Sequence, residues 1–116
     1  MSASVKSELD IIATKSGENV IRVEAVGRVT DQNVKEFQHS LEKAYRKGTP
    51  RIVLDVSGIC FLTSAGLGTI VYYHTLMRKE RRQLVILNSA DNPSAYLDDL
   101  FETTNLDKVL IIAQRV

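Results

Sequence analysis

Apolar and polar positions alternate with a period of two through "NVIRVEAVGRV" (19–29), with Val20, Arg22 and Glu24 on one side and Ile21, Val23 and Ala25 on the other. That alternation predicts a half-exposed β-strand. "RIVLDV" (51–56) and "QLVILN" (83–88) are instead short, nearly continuous runs of β-branched residues and Leu, as suits interior strands covered on both faces. "VLIIAQ" (109–114) repeats that pattern, and "ELDIIATKSG" (8–17) predicts a further strand ended by a Ser16-Gly17 turn. Between these runs the period lengthens. In 32–47, Val34, Phe37, Leu41, Ala44 and Tyr45 share one helical face, opposite Lys, Glu and Gln. Thr30 or Asp31 is placed to cap this helix, and Gly48-Thr49-Pro50 to end it. A second helix is predicted over 65–80, with Leu67, Ile70, Val71, His74 and Met77 facing inward. A third opens at Asn92-Pro93, an N-cap followed by proline, and turns Tyr96, Leu97, Leu100 and Phe101 inward.

The order β-β-α-β-α-β-α-β predicts an α/β domain, a mixed sheet of four to five strands with three or more helices packed on one face or both. No repeat, low-complexity tract or linker divides the 116 residues, so 1–116 reads as a single domain. A net charge of +1 provides no global field towards nucleic acid or an acidic membrane, and binding to neither is expected. No apolar stretch approaches the ~20 residues that span a bilayer. The polar start "MSASVKSELD" does not resemble a signal peptide, which predicts a cytoplasmic protein. The single cysteine, Cys60, excludes an intrachain disulfide, and no CxxC or Cys/His cluster predicts a metal or other cofactor. Between Ile59 and Phe61, Cys60 is expected to be a small buried hydrophobe.

"FLTSAGLGTI" (61–70) concentrates the candidate chemistry. A nucleophilic Ser64 needs a base, and the only histidines are His39 and His74. His74 lies ten residues further along the same helix, roughly 15 Å at 1.5 Å per residue, and His39 has no carboxylate placed to orient it. The nucleophile elbow G-x-S-x-G is absent. Gly66 and Gly68 at a helix start suggest a phosphate cradle, yet no lysine follows them and neither Gly-rich nucleotide fingerprint is complete. A small-nucleotide-binding or hydrolysing domain stands as an alternative on those glycines alone. The basic run "RKERR" (78–82) is accounted for by the helix macrodipole, and Asp55 is expected to accept a hydrogen bond from a nearby loop amide. Ser64 itself is expected at or next to the N-cap, accepting from the N–H of Gly66 or Leu67 for about 1 kcal/mol. Phosphorylation there adds about −1.5 to −2 charges. A helix start tolerates that charge, whereas a partner packed over Ala65 and Gly66 meets bulk and a desolvation cost.

"RIVLDVSGICFLTSAGLGTI" (51–70) resembles the signature of STAS domains, most of all the bacterial anti-sigma-factor antagonists. Their pattern is I-V-L-D-[LV]-S, a short apolar connection, Phe, a variable residue, then D-S-x-G-L-G. "VEAVGRVTDQNVKEFQHSL" is similar to the family's second strand, G-x-[LI]-D turn and first helix, and "LFETTNLDKVLII" to its last helix and strand. The resemblance implies a non-enzymatic partner-switching regulator. Such a protein binds an anti-sigma factor that is also a serine-protein kinase, is silenced when that kinase phosphorylates it, and is restored by a PP2C-type phosphatase. A monomer or weak dimer is expected. By position the phosphorylated serine falls on Ser64. Ser57, Thr63, Ser64, Ala65, Gly66, Leu67 and Gly68 fall on the partner-binding surface, extended by Thr69 and Tyr73, which are expected to be exposed. Asp55 falls on the structural loop position. Two positions depart from the pattern. Thr63 replaces the Asp before the serine and is an alternative acceptor, and Thr30 replaces the Asp of the turn, with Asp31 following. The same fold acting as a signalling or lipid-transport module without a sigma factor is a further alternative.

Overall fold

The computed structural model describes residues 8–116. Residues 1–7, on which most of the signal-peptide expectation rests, lie outside the described residues. Strands β1 (Leu9–Lys15) and β2 (Val20–Val29) form an antiparallel pair. Its turn is made by Gly17 at φ 91°, with the Ser16 amide donating to Val20 O at 2.8 Å. Helix α1 (Val34–Arg46) then leads to β3 (Arg51–Leu62), α2 (Ser64–Lys79) to β4 (Gln83–Leu87), and α3 (Ala95–Thr103) with a 3₁₀ turn (Leu106–Lys108) to β5 (Ile111–Ala113). The sheet order is β1-β2-β3-β4-β5, and β2 to β5 are parallel.

Each crossover from β2 onward moves one strand in the same direction, so right-handed connections put all three helices on one face. The core has that layout. Ile21, Val23, Ala25, Ile52, Leu54, Val56, Leu84 and Ile86 are buried with Phe37, Leu41, Ile70, Met77, Leu97 and Phe101 of the helices. On the opposite face Val53, Val85 and Leu87 form a smaller cluster flanked by Val20 and Ala113. The central strands are therefore apolar on both sides as expected, but helices cover only one of them.

Several local expectations shift. The first helix is N-capped at Asn33 rather than Thr30 or Asp31. Asn33 Oδ1 turns back to accept from the Thr30 amide at 2.8 Å and makes no cap hydrogen bond. The third helix is capped by Ser94, whose Oγ accepts from Leu97 N at 3.2 Å, so Asn92 and Pro93 belong to the preceding loop. The strand expected over 51–56 runs on through Leu62. It continues alongside β2 through register shifts between Glu24 and Val26 and between Gly27 and Arg28. Those bulges break the period of two, so Val56, Ile59 and Leu62 are buried while Cys60 is exposed, contrary to its expected burial.

His74 is 4% exposed, and neither ring nitrogen has a hydrogen-bond partner among the described residues. Burial, and secondarily the nearby Arg78 cation, hold its pKa below the ordinary value. The folded pKa is thus below the unfolded value of about 6.5, so the neutral imidazole contributes stability above that pH and the contribution is lost as pH falls towards the folded pKa. Thermal melts between about pH 7.5 and pH 5 are expected to show a falling midpoint, and His74→Leu to flatten that slope. An unchanged slope in the variant would assign the loss to other groups.

Candidate functional site

The start of α2 is built by the end of β3. The Thr63 amide donates to Val29 O at 3.1 Å, which ties the junction to the carboxyl end of β2. Thr63 has extended backbone (φ −68°, ψ 164°), and its Oγ1 accepts from Gly66 N at 3.1 Å. The cap is therefore Thr63, not Ser64. Ser64 is the first helical residue, is exposed, and its hydroxyl makes no hydrogen bond within the described residues. No acidic residue occupies the first turn of α2, so the helix itself supplies no negative charge to its N-terminal dipole.

Ala65, Gly68 and Tyr72 follow at i, i+3 and i+7 and are all exposed, making one outward face that begins beside Ser64. Tyr72 stands 59% exposed with its ring edge-on to Tyr73, centroids 5.0 Å apart. With Gln38 of α1, these residues line a shallow depression of about 410 Å³. Tyr72 and Gln38 were not among the expected site residues, although the helical period already puts position 72 outside.

Thr69 and Tyr73, expected to be exposed, are 6% and 7% exposed. Both are turned onto α1. Thr69 Oγ1 donates to Ala65 O at 2.8 Å and accepts from Gln38 Nε2 at 3.2 Å, and the Tyr73 hydroxyl donates to the Glu42 carboxylate. Burial and that carboxylate push the Tyr73 pKa up, while the Tyr73 and Arg46 donors hold Glu42 down. Gly66 is also buried, and Leu67 half-buried.

Ser57 and Asp55 lie elsewhere. Thr63 is six residues beyond Ser57, about 20 Å along an extended strand. Asp55 accepts from the Ser57 amide at 3.0 Å, a donor within β3 rather than in a loop, and forms a 2.6 Å ion pair with Arg22. Ser57 Oγ accepts from Ser89 N at 2.7 Å. These two residues join β2, β3 and the loop after β4 and do not meet Ser64. A different cluster flanks the junction. Phe61 stacks on Tyr96 with centroids 6.1 Å apart and lies 4.7 Å beneath the Arg28 guanidinium. The Tyr96 hydroxyl accepts from Leu62 N at 3.3 Å.

The two glycines differ in kind. A Cβ on Gly66 would come 2.6 Å from Leu62 Cδ1 and 3.0 Å from Val29 Cγ1, so Gly66 lets α2 approach the sheet closely. A Cβ on Gly68 meets nothing within 4 Å. In urea denaturation, Gly66→Ala is expected to cost about 1–2 kcal/mol. Gly68→Ala is expected to gain about 0.5–1 kcal/mol by restricting an exposed helical position. Equal effects would mean that Gly66 is not a packing glycine.

His39 is exposed on α1 and His74 is buried on the inner side of α2, so neither stands beside Ser64 as a base. Among the described residues no group of three or more His, Cys, Asp or Glu side chains is placed to hold a metal, and no helix is long and apolar enough to cross a membrane.

A mixed sheet with three helices on one face and an exposed serine opening the helix after β3 defines the class of domain. The family model described as "Mlab, STAS domain" matches residues 12–112, and the chain belongs to the STAS domain family. No curated protein matches it. Its fold is similar to that of an anti-sigma factor antagonist from Mycobacterium paratuberculosis, with TM-score 0.74 at 14% identity over 93% of this chain and 87% of that one. A putative anti-sigma factor antagonist from Thermotoga maritima is similar at TM-score 0.74 and 18% identity, over 91% and 87%. The Bacillus cell fate determinant SpoIIAA in its phosphorylated form is similar at TM-score 0.67 and 15% identity, over 90% and 91%. At these identities the likenesses establish the fold.

Proposed function

We propose that this chain is a cytoplasmic, non-enzymatic anti-sigma-factor antagonist of the partner-switching type. Its docking face is the start of α2, from Thr63 and Ser64 across Ala65 and Gly68 to Tyr72. Its partner is an anti-sigma factor that is also a serine kinase, which phosphorylates Ser64, and a PP2C-type phosphatase reverses the mark.

The observation that carries this reading is the division of labour between two adjacent hydroxyls. Thr63 supplies the cap, so the Ser64 hydroxyl is exposed and has no structural duty. Threonine and aspartate are both N-cap residues, so Thr63 can do the mechanical work of the Asp in the motif that this segment resembles. With no acidic residue in its own first turn, the helix start favours an added phosphate. Two of the similar folds carry the description anti-sigma factor antagonist, and a third, SpoIIAA, exists in a phosphorylated form. The small side chains at 65 and 68 let a partner approach the backbone, and Tyr72 supplies an aromatic anchor of the kind that dominates interface energetics.

The test is affinity purification from the source cell with quantitative mass spectrometry. The expected result is one protein of the ATPase–kinase type, retained by the wild-type chain and lost with Tyr72→Ala. Retention of a kinase-type protein by both chains would remove the α2 face from the model.

A further inference from the structure

The far end of α2 carries a second constellation. Fifteen steps of 1.5 Å separate Lys79, at that end, from Ser64 by about 22 Å. There a cavity of about 360 Å³ is lined by His74, Arg78, Arg81 and Arg82 of α2 and its exit, with Val109 at the end of the 3₁₀ turn and Ile111 at the start of β5. We propose that this cavity binds the phosphate group of a phosphate ester, with Arg78 and Arg81 gripping the oxyanion, His74 beneath it, and Val109 and Ile111 against the apolar body of the ester.

Three independent observations converge. First, Arg81 sits at φ 61°, in the left-handed region where glycine is preferred. It is the residue after the helix cap: its amide donates to Arg78 O at 3.1 Å, and the Arg82 amide to Met77 O at 2.8 Å. A side chain kept at such a position, against a steric cost, points to a use for its guanidinium. Second, His74 is 4% exposed with both nitrogens unpartnered, although it lines the cavity. Third, the cation balance is unspent. Arg82 is committed to Thr49 O at 2.8 Å, Tyr45 O at 2.9 Å and Glu80 at 2.8 Å, whereas Arg78 and Arg81 are exposed and, among the described residues, make no side-chain hydrogen bond or ion pair.

Glu80, the carboxylate nearest in sequence, is occupied by Arg82 and by the Tyr45 hydroxyl. From α1, Glu42 is held by Tyr73 and Arg46, and β4 brings the uncharged Gln83 and Leu84 to the cavity. The helix C-terminus opposes an anion, but the Arg81 and Arg82 amides occupy two of its carbonyls. Val109 and Ile111, 49% and 39% exposed, give the site an apolar wall that a bare inorganic anion would not use. Burial and Arg78 favour the neutral imidazole of His74. An anion between the two arginines would reverse that bias and raise its pKa.

The test is an NMR titration of the His74 ring with phenyl phosphate in a phosphate-free buffer. The expected result is a saturable shift at millimolar concentration, a higher His74 pKa in the complex, and affinity at least about tenfold weaker in Arg78→Ala/Arg81→Ala. Arg81→Gly suits the left-handed backbone, so loss of affinity in that variant with an intact melting transition reports the guanidinium rather than the fold. Flotation with phosphatidic-acid vesicles separates the sources. Flotation lost in the double variant assigns the phosphate to a lipid headgroup, and its absence alongside phenyl phosphate binding assigns it to a soluble ester. No His74 shift together with no flotation, or binding unchanged in the double variant, would overturn the proposal.

Discussion

Ser64→Asp is expected to weaken binding of the proposed partner by at least about thirtyfold while leaving the domain as stable as the wild type or slightly more so. The two effects have opposite signs because they act on different surroundings. In the free protein the new carboxylate sits on the first residue of α2, beside N–H groups and with no acidic neighbour in that turn. A negative charge there contributes about 0.3–1 kcal/mol of stability. In the complex the same charge is trapped between α2 and a surface fitted to Ala65 and Gly68, and an uncompensated interfacial charge costs about 2–5 kcal/mol. At 1.4 kcal/mol per tenfold, that corresponds to about thirtyfold or more. Calorimetric titration and thermal melts on the same preparation measure both quantities. A parallel loss of stability and affinity would make Ser64 a structural residue rather than a switch.

Asn88→Ala is expected to produce the largest loss of stability, about 3 kcal/mol in urea denaturation. Asn88 is 3% exposed and uses both ends of its amide. Its Nδ2 donates to Ser94 O at 3.0 Å and Asp98 Oδ1 at 2.8 Å, and its Oδ1 accepts from Ser94 N at 2.7 Å. Ser94 in turn donates to Ile59 O at 2.6 Å while capping α3. The Asn88 and Ser94 side chains thus join the end of β4, the start of α3 and the later part of β3. Removing it strands buried backbone groups of Ser94 and leaves a void. Against a typical total of about 5–15 kcal/mol, the loss is a large fraction. It also loosens α3, whose Tyr96 braces Leu62 just before the Ser64 junction. A loss below about 1 kcal/mol would mean that the loop re-forms its hydrogen bonds with water.

The fold was legible wherever a single period governed a segment. Alternation in β2, apolar runs in β3 and β4, and the stripe Val34–Phe37–Leu41–Ala44 each lead to the element that is present. The misses occur where non-local contacts decide. Bulges in the β2–β3 ladder turn Cys60 outward, and no period of two contains that information. Thr69 and Tyr73 are buried because Gln38 and Glu42, some thirty residues earlier, reach them from α1. Which of two adjacent hydroxyls caps α2 depends on a backbone angle, since both residue types are good caps. At Asn33 and Ser94 the caps fall two to three residues later than the expected capping residues, where the Asn33 and Asn88 side chains accept from the Thr30 and Ser94 backbone amides. Within the candidate site, the exposed serine and the small residues at 65 and 68 were readable from the motif. The flanking Tyr72, Gln38 and the Arg28–Phe61–Tyr96 stack required the assembled helices and strands.

The most direct measurement is phosphopeptide mapping of the chain isolated from its own cells in growing and stressed cultures. Cleavage after Arg51 and Arg78 releases residues 52–78, which contain both Thr63 and Ser64. A single phosphate is expected on that peptide, located on Ser64, whose occupancy changes between conditions and disappears in Ser64→Ala. A peptide that never carries phosphate on Ser64 or Thr63 in any condition, from a chain that still engages its partner, would contradict it.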